Sequence, residues 1–153
     1  MTLKLLSYNI RHGGAGREEP LAAVIRGCAP DLVLFQEATQ PNVVKRLSEL
    51  TGMSIWGAHR GYSCAFMSRL EVSEHQWHRP RGVRRALLEV VLAGTGERLF
   101  GVHLTAVHSW WTERQRKREL RALLREIERH RPGFHLLAGD FNTLAPGELL
   151  DRA

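Results

Sequence analysis

Apolar residues recur at two different spacings along this chain, and the spacing predicts which element each run forms. Alternation, or a short run that is apolar throughout, is typical of a strand, whereas a spacing of three to four residues is typical of a helix. In the first third of the chain this pattern predicts strand, helix, strand and helix, over Leu3–Ile10, Glu18–Ala29, Asp31–Gln36 and Pro41–Leu50. A glycine-rich loop, Arg11–Arg17, separates the first strand from the first helix.

The middle of the chain is a series of short strand-like runs divided by glycine and proline signals. Gly94–Glu97 is a hairpin signal between two of them. The predicted strands are Ile55–Trp56, Tyr62–Ser68, Val72–Trp77, Arg85–Leu92 and Arg98–Thr105.

A long helix follows, from about Glu113 to His130, with Thr112 and Gln115 as a capping box at its start. Phe134–Ala138 predicts one more buried strand. This order of elements predicts a mixed α/β domain in which helices flank a largely antiparallel sheet.

The length of 153 residues suits about one domain, which we expect to span residues 1–153. A content of 43% hydrophobic and 25% charged residues is typical of a globular protein. No apolar run approaches the roughly 18 residues of a membrane span, and the longest, Ala86–Gly94, is interrupted by Glu89.

With no signal-peptide pattern after Met1 and two widely spaced cysteines, the sequence predicts a cytoplasmic protein with reduced thiols. The formal charge of +6 favours anionic partners such as nucleic acid, phosphorylated metabolites or anionic lipid headgroups.

Polar side chains gather where three of the predicted strands end. Asn9 closes the first strand, Glu37 follows the second, and Asp140-Phe141-Asn142 follows the last. Asp and Asn are also common turn formers, so the last group alone does not predict a site. Glu37 favours a metal site, because a buried carboxylate beside an apolar strand is costly without a partner. Mg²⁺ is a fitting partner, since it prefers oxygen ligands.

A histidine near a metal and a phosphate can donate a proton or stabilise negative charge. His103 lies near the end of the apolar strand Leu99–Ala106 and is a candidate for this role, although most strand histidines are structural. His108 is a rival candidate, but its position in the loop before Trp110 and Trp111 favours a surface location.

At this point the chain resembles a known family, on five motifs that occur in the family order. They are SYNIRHGG (Ser7–Gly14), DLVLFQE (Asp31–Glu37), YSCAFMSR (Tyr62–Arg69), VHL (Val102–Leu104) and LAGDFN (Leu137–Asn142). The family is the endonuclease/exonuclease/phosphatase superfamily of DNase I-like, metal-dependent enzymes. The resemblance implies a four-layer α/β/β/α sandwich and hydrolysis of a phosphoester by in-line attack of water.

The resemblance also implies a role for each matching position. Glu37 would be the principal Mg²⁺ ligand, with Mn²⁺ as the alternative ion, and Asn9 would lie near the metal and the reacting water. Asp140 would orient or activate that water. His103 and Asn142 would contact the phosphate, and Arg11 and His12 in the adjoining glycine loop are candidate phosphate contacts.

The chain departs from the family pattern after Asn142. The family has a motif with a later Asp and a terminal Ser-Asp-His motif, and neither motif is present in Thr143–Ala153. The resemblance therefore covers the N-terminal portion of the family domain, with most of its second half absent. From this we expect an uncovered apolar sheet face, self-association or marginal stability of the isolated chain, and weak or no turnover.

Two functions from different classes fit these observations. The first is a Mg²⁺-dependent phosphodiesterase, endonuclease or phosphatase; family members act on DNA, RNA, inositol phosphates or sphingomyelin, and the sequence leaves the substrate open. The alternative is an inactive fragment or a non-catalytic module that binds phosphate or nucleic acid. Its basic face would come from Arg79–Arg81, Arg84, Arg85 and the long helix, with Trp77, Trp110 and Trp111 available for stacking.

Overall fold

The computed structural model describes residues 2–81, 83–84, 86–106, 110–130 and 135–142. These residues form eight strands and three helices, with a short 3₁₀ turn at His12–Gly14 after the first strand. The strands are β1 (Leu5–Asn9), β2 (Leu32–Gln36), β3 (Ile55–Gly57), β4 (Ala65–Ser68), β5 (Val72–His78), β6 (Leu87–Leu92), β7 (Arg98–His103) and β8 (His135–Asp140). The helices are α1 (Glu18–Cys28), α2 (Pro41–Thr51) and α3 (Trp110–His130).

The strands form two four-stranded mixed sheets. The first sheet has the order β1-β2-β4-β3 and the second the order β5-β6-β7-β8. Each contains one parallel pair, β1 with β2 and β7 with β8, and the other described pairs are antiparallel. Since parallel neighbours end at the same edge of a sheet, β1 ends beside β2, and β7 ends beside β8.

Three apolar layers join four layers of secondary structure. Helices α1 and α2 pack on the outer face of the first sheet, where Ile25 and Leu47 meet Phe35 and Met67. The inner faces of the two sheets pack on each other through residues that include Leu34, Phe66, Leu88 and Val90. On the outer face of the second sheet, Leu87, Phe100 and Val102 pack against Leu123 and Ile127 of α3. The arrangement is the α/β/β/α sandwich that the family resemblance implies, and it is a mixed α/β domain as the sequence pattern predicts.

The expectation of an uncovered inner sheet face is wrong for the described residues. Leu32, Leu34 and Phe66 of the first sheet are fully buried by the second, whose Leu88 and Val90 are buried in turn. Both sheets are therefore present and cover each other, and the predicted self-association loses the exposed surface on which it was based.

The sequence placed the start of the long helix one turn too late. Helix α3 begins at Trp110, so Thr112 lies inside its first turn and the predicted capping box with Gln115 does not form the helix start. The fourth strand is also shorter than predicted, because the chain from Tyr62 to Cys64 forms a loop before β4 begins at Ala65.

Glu89 explains how a charge is accommodated in the apolar run of β6. Its side chain is buried on the outer face of the second sheet, where Arg98 donates to Oε1 at 2.6 Å and His78 Nε2 lies 2.6 Å from Oε2. Two partners on the flanking strands thus compensate the buried carboxylate, as burial of a charge requires.

No helix in the described part of the chain has the length and hydrophobicity needed to cross a bilayer.

Candidate metal and phosphate site

The ends of four strands, β1, β2, β7 and β8, meet at one edge of the sandwich. In the first sheet Asn9 pairs with Gln36, the residue before Glu37, and in the second His103 pairs with Asp140. Strand β1 packs against β8, and β2 packs against both β7 and β8. The polar residues that the sequence places at separate strand ends are therefore brought to one place.

Asn9 joins the two carboxylates of this edge. Its Nδ2 donates to Glu37 Oε1 at 3.1 Å and to Asp140 Oδ2 at 2.9 Å, across a sequence separation of 131 residues in the second case. Its Oδ1 accepts from the backbone N–H of Arg11 at 2.9 Å, which fixes the amide. One side chain thus sets the relative position of two acidic groups from different sheets.

The surroundings of Glu37 stabilise its ionised form. The backbone N–H of His12 donates to Oε2 at 2.7 Å and is the main reason that the pKa of Glu37 lies below its ordinary value of 4.5. Partial burial opposes this shift, while the amide of Asn9 and the nearby imidazoles of His103 and His12 add to it. Glu37 is therefore a carboxylate at neutral pH, as a ligand of a divalent cation must be.

The glycine-rich loop reaches Glu37 through a strained turn. Arg11 and His12 have φ angles of 48° and 51°, and Gly13 and Gly14 follow with 79° and 75°. This left-handed run turns the N–H of His12 toward the Glu37 carboxylate and that of Gly13 toward the Glu37 carbonyl, at 2.9 Å. Glu37 itself has φ of 58°, so strained backbone occurs on both sides of the contact, as it often does at functional sites.

Arg17 stabilises this turn, a role that was not predicted from the sequence. Its guanidinium donates to the carbonyl of Ile10 at 2.6 Å and also to the carbonyl of Arg11. The first carbonyl belongs to the residue before the left-handed run and the second to the first residue of that run. We assign Arg17 a positioning role, which no local signal could indicate because an arginine before a helix is usually solvated.

Asp140 and Asn142 form a turn and part of the site together. Asp140 Oδ1 accepts from the backbone N–H of Asn142 at 2.9 Å, and Asn142 has φ of 48°. The Asn142 side chain donates to the carbonyl of Leu104 at 2.8 Å, which ties the turn to the end of β7. The turn explanation and the site explanation of Asp140-Phe141-Asn142 are thus compatible, since the turn aims Asp140 Oδ2 at Asn9.

His103 lies beside Asp140 at the end of β7 and is 6% exposed. Its imidazole is close enough to Glu37 to lower the pKa of that carboxyl. The structure therefore brings together Asn9, Glu37, His103, Asp140 and Asn142, with His12 beside them.

His108 lies outside the described residues. Of the three tryptophans offered for stacking, Trp111 is 71% exposed, Trp77 is half-buried, and the Trp110 side chain is outside the described part.

The oxygen-rich edge suits a hard divalent cation. Two carboxylates are held within reach of a single amide, and oxygen ligands of this kind are those that Mg²⁺ prefers. No group of three His, Cys, Asp or Glu side chains converges as a metal site within the described ranges. Such a set is not required, because Mg²⁺ commonly uses one or two carboxylates and completes its shell with water and phosphate. The ligand role of Asn9 stays a prediction, since its Oδ1 accepts from Arg11 in this structure.

Comparison with solved structures supports the fold. The chain is similar to a D. rerio TDP2 complexed with single-strand DNA product (22% identity, TM-score 0.71), covering 94% of this chain and 62% of that one. An endonuclease/exonuclease/phosphatase from Beutenbergia cavernae gives 25% identity and a TM-score of 0.72, with coverages of 94% and 49%. The 3′ phosphatase NExo from Neisseria, bound to a product DNA hairpin, gives 19% identity and a TM-score of 0.65. The match covers 96% of this chain and 60% of that one. The chain thus spans about half to two thirds of each of these proteins.

Sequence comparison identifies the family. No curated protein sequence matches the chain. The model of the Endonuclease/Exonuclease/phosphatase family matches residues 6–152, which is nearly the whole chain and includes every strand end described above. Together with the sandwich fold, this match shows that the chain belongs to the endonuclease/exonuclease/phosphatase family.

Proposed function

We propose that this protein hydrolyses phosphoester bonds with the help of a divalent cation, Mg²⁺ or alternatively Mn²⁺. The observation that carries the proposal is the Asn9 amide, which holds the carboxylates of Glu37 and Asp140 together where the two sheets meet. A structural role alone would not require two acidic groups at one sheet edge. Endonucleases, exonucleases and phosphatases are all hydrolases of phosphoesters, so family membership supports the same conclusion.

Glu37 is the residue best suited to hold the cation. Its lowered pKa keeps the carboxyl ionised, and the N–H groups of His12 and Asn9 fix both of its oxygens. When bound, the cation would supply Lewis-acid stabilisation of the charge that develops on the phosphoryl oxygens.

Asp140 is the proposed acceptor for the proton of the attacking water. One hydrogen bond to each carboxylate oxygen fixes its orientation, through Asn9 and through the backbone of Asn142. Each carboxylate oxygen has a further lone pair with which it can accept from water. In this role Asp140 orients the water for attack opposite the leaving group and takes up its proton.

His103 and Asn142 are the proposed hydrogen-bond donors to the phosphate. His12 and Arg11 in the glycine loop are further candidates for this contact. His103 lies next to Asp140 in register, and its proposed role is to stabilise the negative charge that develops on a phosphoryl oxygen. The net charge of +6 adds a general attraction for anionic substrates.

The expected compartment is the cytoplasm. Neither Cys28 nor Cys64 takes part in a disulfide, and cysteines kept out of disulfides are usual for proteins of a reducing compartment.

The test is metal-dependent hydrolysis of bis-p-nitrophenyl phosphate by the full chain. We expect slow release of p-nitrophenolate in Mg²⁺ that stops in EDTA and in Glu37→Gln. Glu49→Gln is the matched control, because Glu49 is an exposed residue of α2 whose partner is Arg46. Release that persists in EDTA or in Glu37→Gln would contradict the proposal. Metal-independent binding of phosphate without turnover would favour the non-catalytic alternative.

A further inference from the structure

An aromatic and cationic cluster, formed by His59, Tyr62, Trp77 and Arg79, lies outside the residues assigned to hydrolysis. The Tyr62 ring centroid lies 4.3 Å from that of His59 and 6.3 Å from that of Trp77. The corresponding interplanar angles are 72° and 61°, so these rings meet edge to face and are not stacked in parallel. The Arg79 guanidinium carbon lies 4.7 Å from the Tyr62 ring centroid.

The cluster is next to Glu37. The backbone N–H of Ala38 donates to the carbonyl of Ser63 at 2.9 Å, and that of Gly61 donates to Thr39 at 3.3 Å. The loop that carries Tyr62 is thus bonded to the residues that directly follow Glu37. This pairing puts the Tyr62 loop beside the chain that leaves Glu37, and we take the cluster to be within a nucleotide's reach of the proposed phosphate position.

Trp77 gives the cluster a fixed base. Its indole N–H donates to the carbonyl of Cys64 at 2.9 Å, and its ring packs on the apolar core between the sheets. His59 and Arg79 are exposed, and Tyr62 is partly buried between them and Trp77. A rigid aromatic wall with an exposed rim is the arrangement that stacks a planar ligand without loss of side-chain freedom.

We propose that this cluster binds a nucleobase of a single-stranded nucleic acid whose scissile phosphate lies at Glu37 and Asp140. The inference rests on the proposed phosphoester hydrolysis for the position of the phosphate, and it adds the class of substrate. Aromatic rings and an arginine beside a phosphate site are the groups that bind single strands with little dependence on sequence.

The position of Arg79 argues against a choline headgroup, the other ligand that aromatic rings bind well. A quaternary ammonium needs an open, electron-rich ring face. Here the guanidinium already lies over the Tyr62 ring and would repel a second cation. The same guanidinium attracts a phosphate and can stack on a base, so it favours a nucleotide.

Arg79 also connects the cluster to a cationic cleft. Arg79, Arg81 and Arg125 of α3 line a cavity of about 520 Å³ together with Glu126. Three arginines against one glutamate give this cleft a positive charge. A strand that stacks a base on the exposed guanidinium of Arg79, which lies over the Tyr62 ring, can therefore place its next phosphates along the cleft.

Binding of a fluorescein-labelled oligothymidylate to the full chain tests the inference, measured by anisotropy in EDTA so that no turnover is needed. We expect Tyr62→Leu to weaken binding by about tenfold, the usual loss for one stacked base, because the Arg79 guanidinium loses the ring that holds it in place for stacking. Tyr62→Phe keeps the ring and should bind as the wild type does, and thermal unfolding of each variant checks that it is folded. Arg79→Ala should reduce the slope of log K against log salt by about 0.7, whereas Arg46→Ala on α2 should leave it unchanged.

An abasic oligonucleotide of the same length separates stacking from charge. It should bind wild type and Tyr62→Leu equally, since it has phosphates but no bases. Equal binding of oligothymidylate by wild type and folded Tyr62→Leu would overturn the inference. So would a Tyr62→Leu loss seen with sphingomyelin vesicles and absent with the oligonucleotide. Because bis-p-nitrophenyl phosphate has no nucleobase, its hydrolysis reports on the proposed function independently of this outcome.

Discussion

Replacing Asp140 with asparagine is expected to lower kcat for phosphodiester hydrolysis by about 10²- to 10⁴-fold, the loss usual for a positioned proton acceptor. In the native site, Asp140 Oδ2 accepts from Asn9 and Oδ1 accepts from the backbone of Asn142. Asparagine has the same shape, but its NH₂ group would face one of these two donors. The variant therefore loses both the proton acceptor and the alignment with Asn9. Initial rates of p-nitrophenolate release measure the effect.

Asp31→Asn is the matched control for this substitution. Asp31 Oδ2 accepts from the backbone N–H of Lys4, before β1 and β2 begin and away from Glu37. We expect it to keep the wild-type kcat. If folded Asp140→Asn hydrolysed the ester as fast as Asp31→Asn, Asp140 would have no part in the chemistry.

Gly139→Ala is expected to reduce the free energy of unfolding by about 3 kcal/mol or more. Gly139 has φ of 147°, and a Cβ added there would lie 2.0 Å from the carbonyl oxygen of Val102 and 2.8 Å from its nitrogen. These are backbone atoms of the neighbouring strand, so the clash cannot be relieved by a side-chain rotation. Strands β7 and β8 would separate at the point where His103 pairs with Asp140. Chemical denaturation measures the loss.

Gly52→Ala separates the clash from the backbone strain. Gly52 also has a positive φ, 67°, but a Cβ there would meet nothing within 4 Å. We expect its cost to be about 1 kcal/mol, that of a left-handed residue with a side chain. A loss for Gly139→Ala no greater than for Gly52→Ala would show that β7 and β8 can move apart without strain.

Local patterns in the sequence were enough to predict the order and type of the elements. Strands such as Asp31–Gln36 were found nearly at their observed limits, because an all-apolar run buried between helices and a second sheet has a strong signal. The start of α3 was wrong because Thr112 and Gln115 match a capping box within a helix that already begins at Trp110. The expectation of an uncovered sheet face was wrong because it assumed that most of the second half of the family domain is absent. Strands β5–β8 of this chain form the second sheet.

The chemistry of the candidate site could be predicted from motifs, but its geometry could not. Glu37 and Asp140 were identifiable as acidic residues at strand ends, and the structure places both beside Asn9. The left-handed turn at Arg11 and His12 lies within a motif, but its conformation and its support by Arg17 depend on three-dimensional contacts that the motif does not specify. The same is true of the Tyr62–Trp77 contact, because one ring belongs to a loop of the first sheet and the other to a strand of the second.

Binding of Mn²⁺ to the full chain, followed by the loss of the free-ion electron paramagnetic resonance signal, tests the central claim most directly because it needs no turnover. We expect saturable binding by the wild type and by Glu49→Gln. Glu37→Gln should bind about 100-fold more weakly or worse, since even a residue that only orients a ligand usually costs 10- to 100-fold. Equal Mn²⁺ affinity in wild type and folded Glu37→Gln would contradict the assignment of this sheet edge as a metal site.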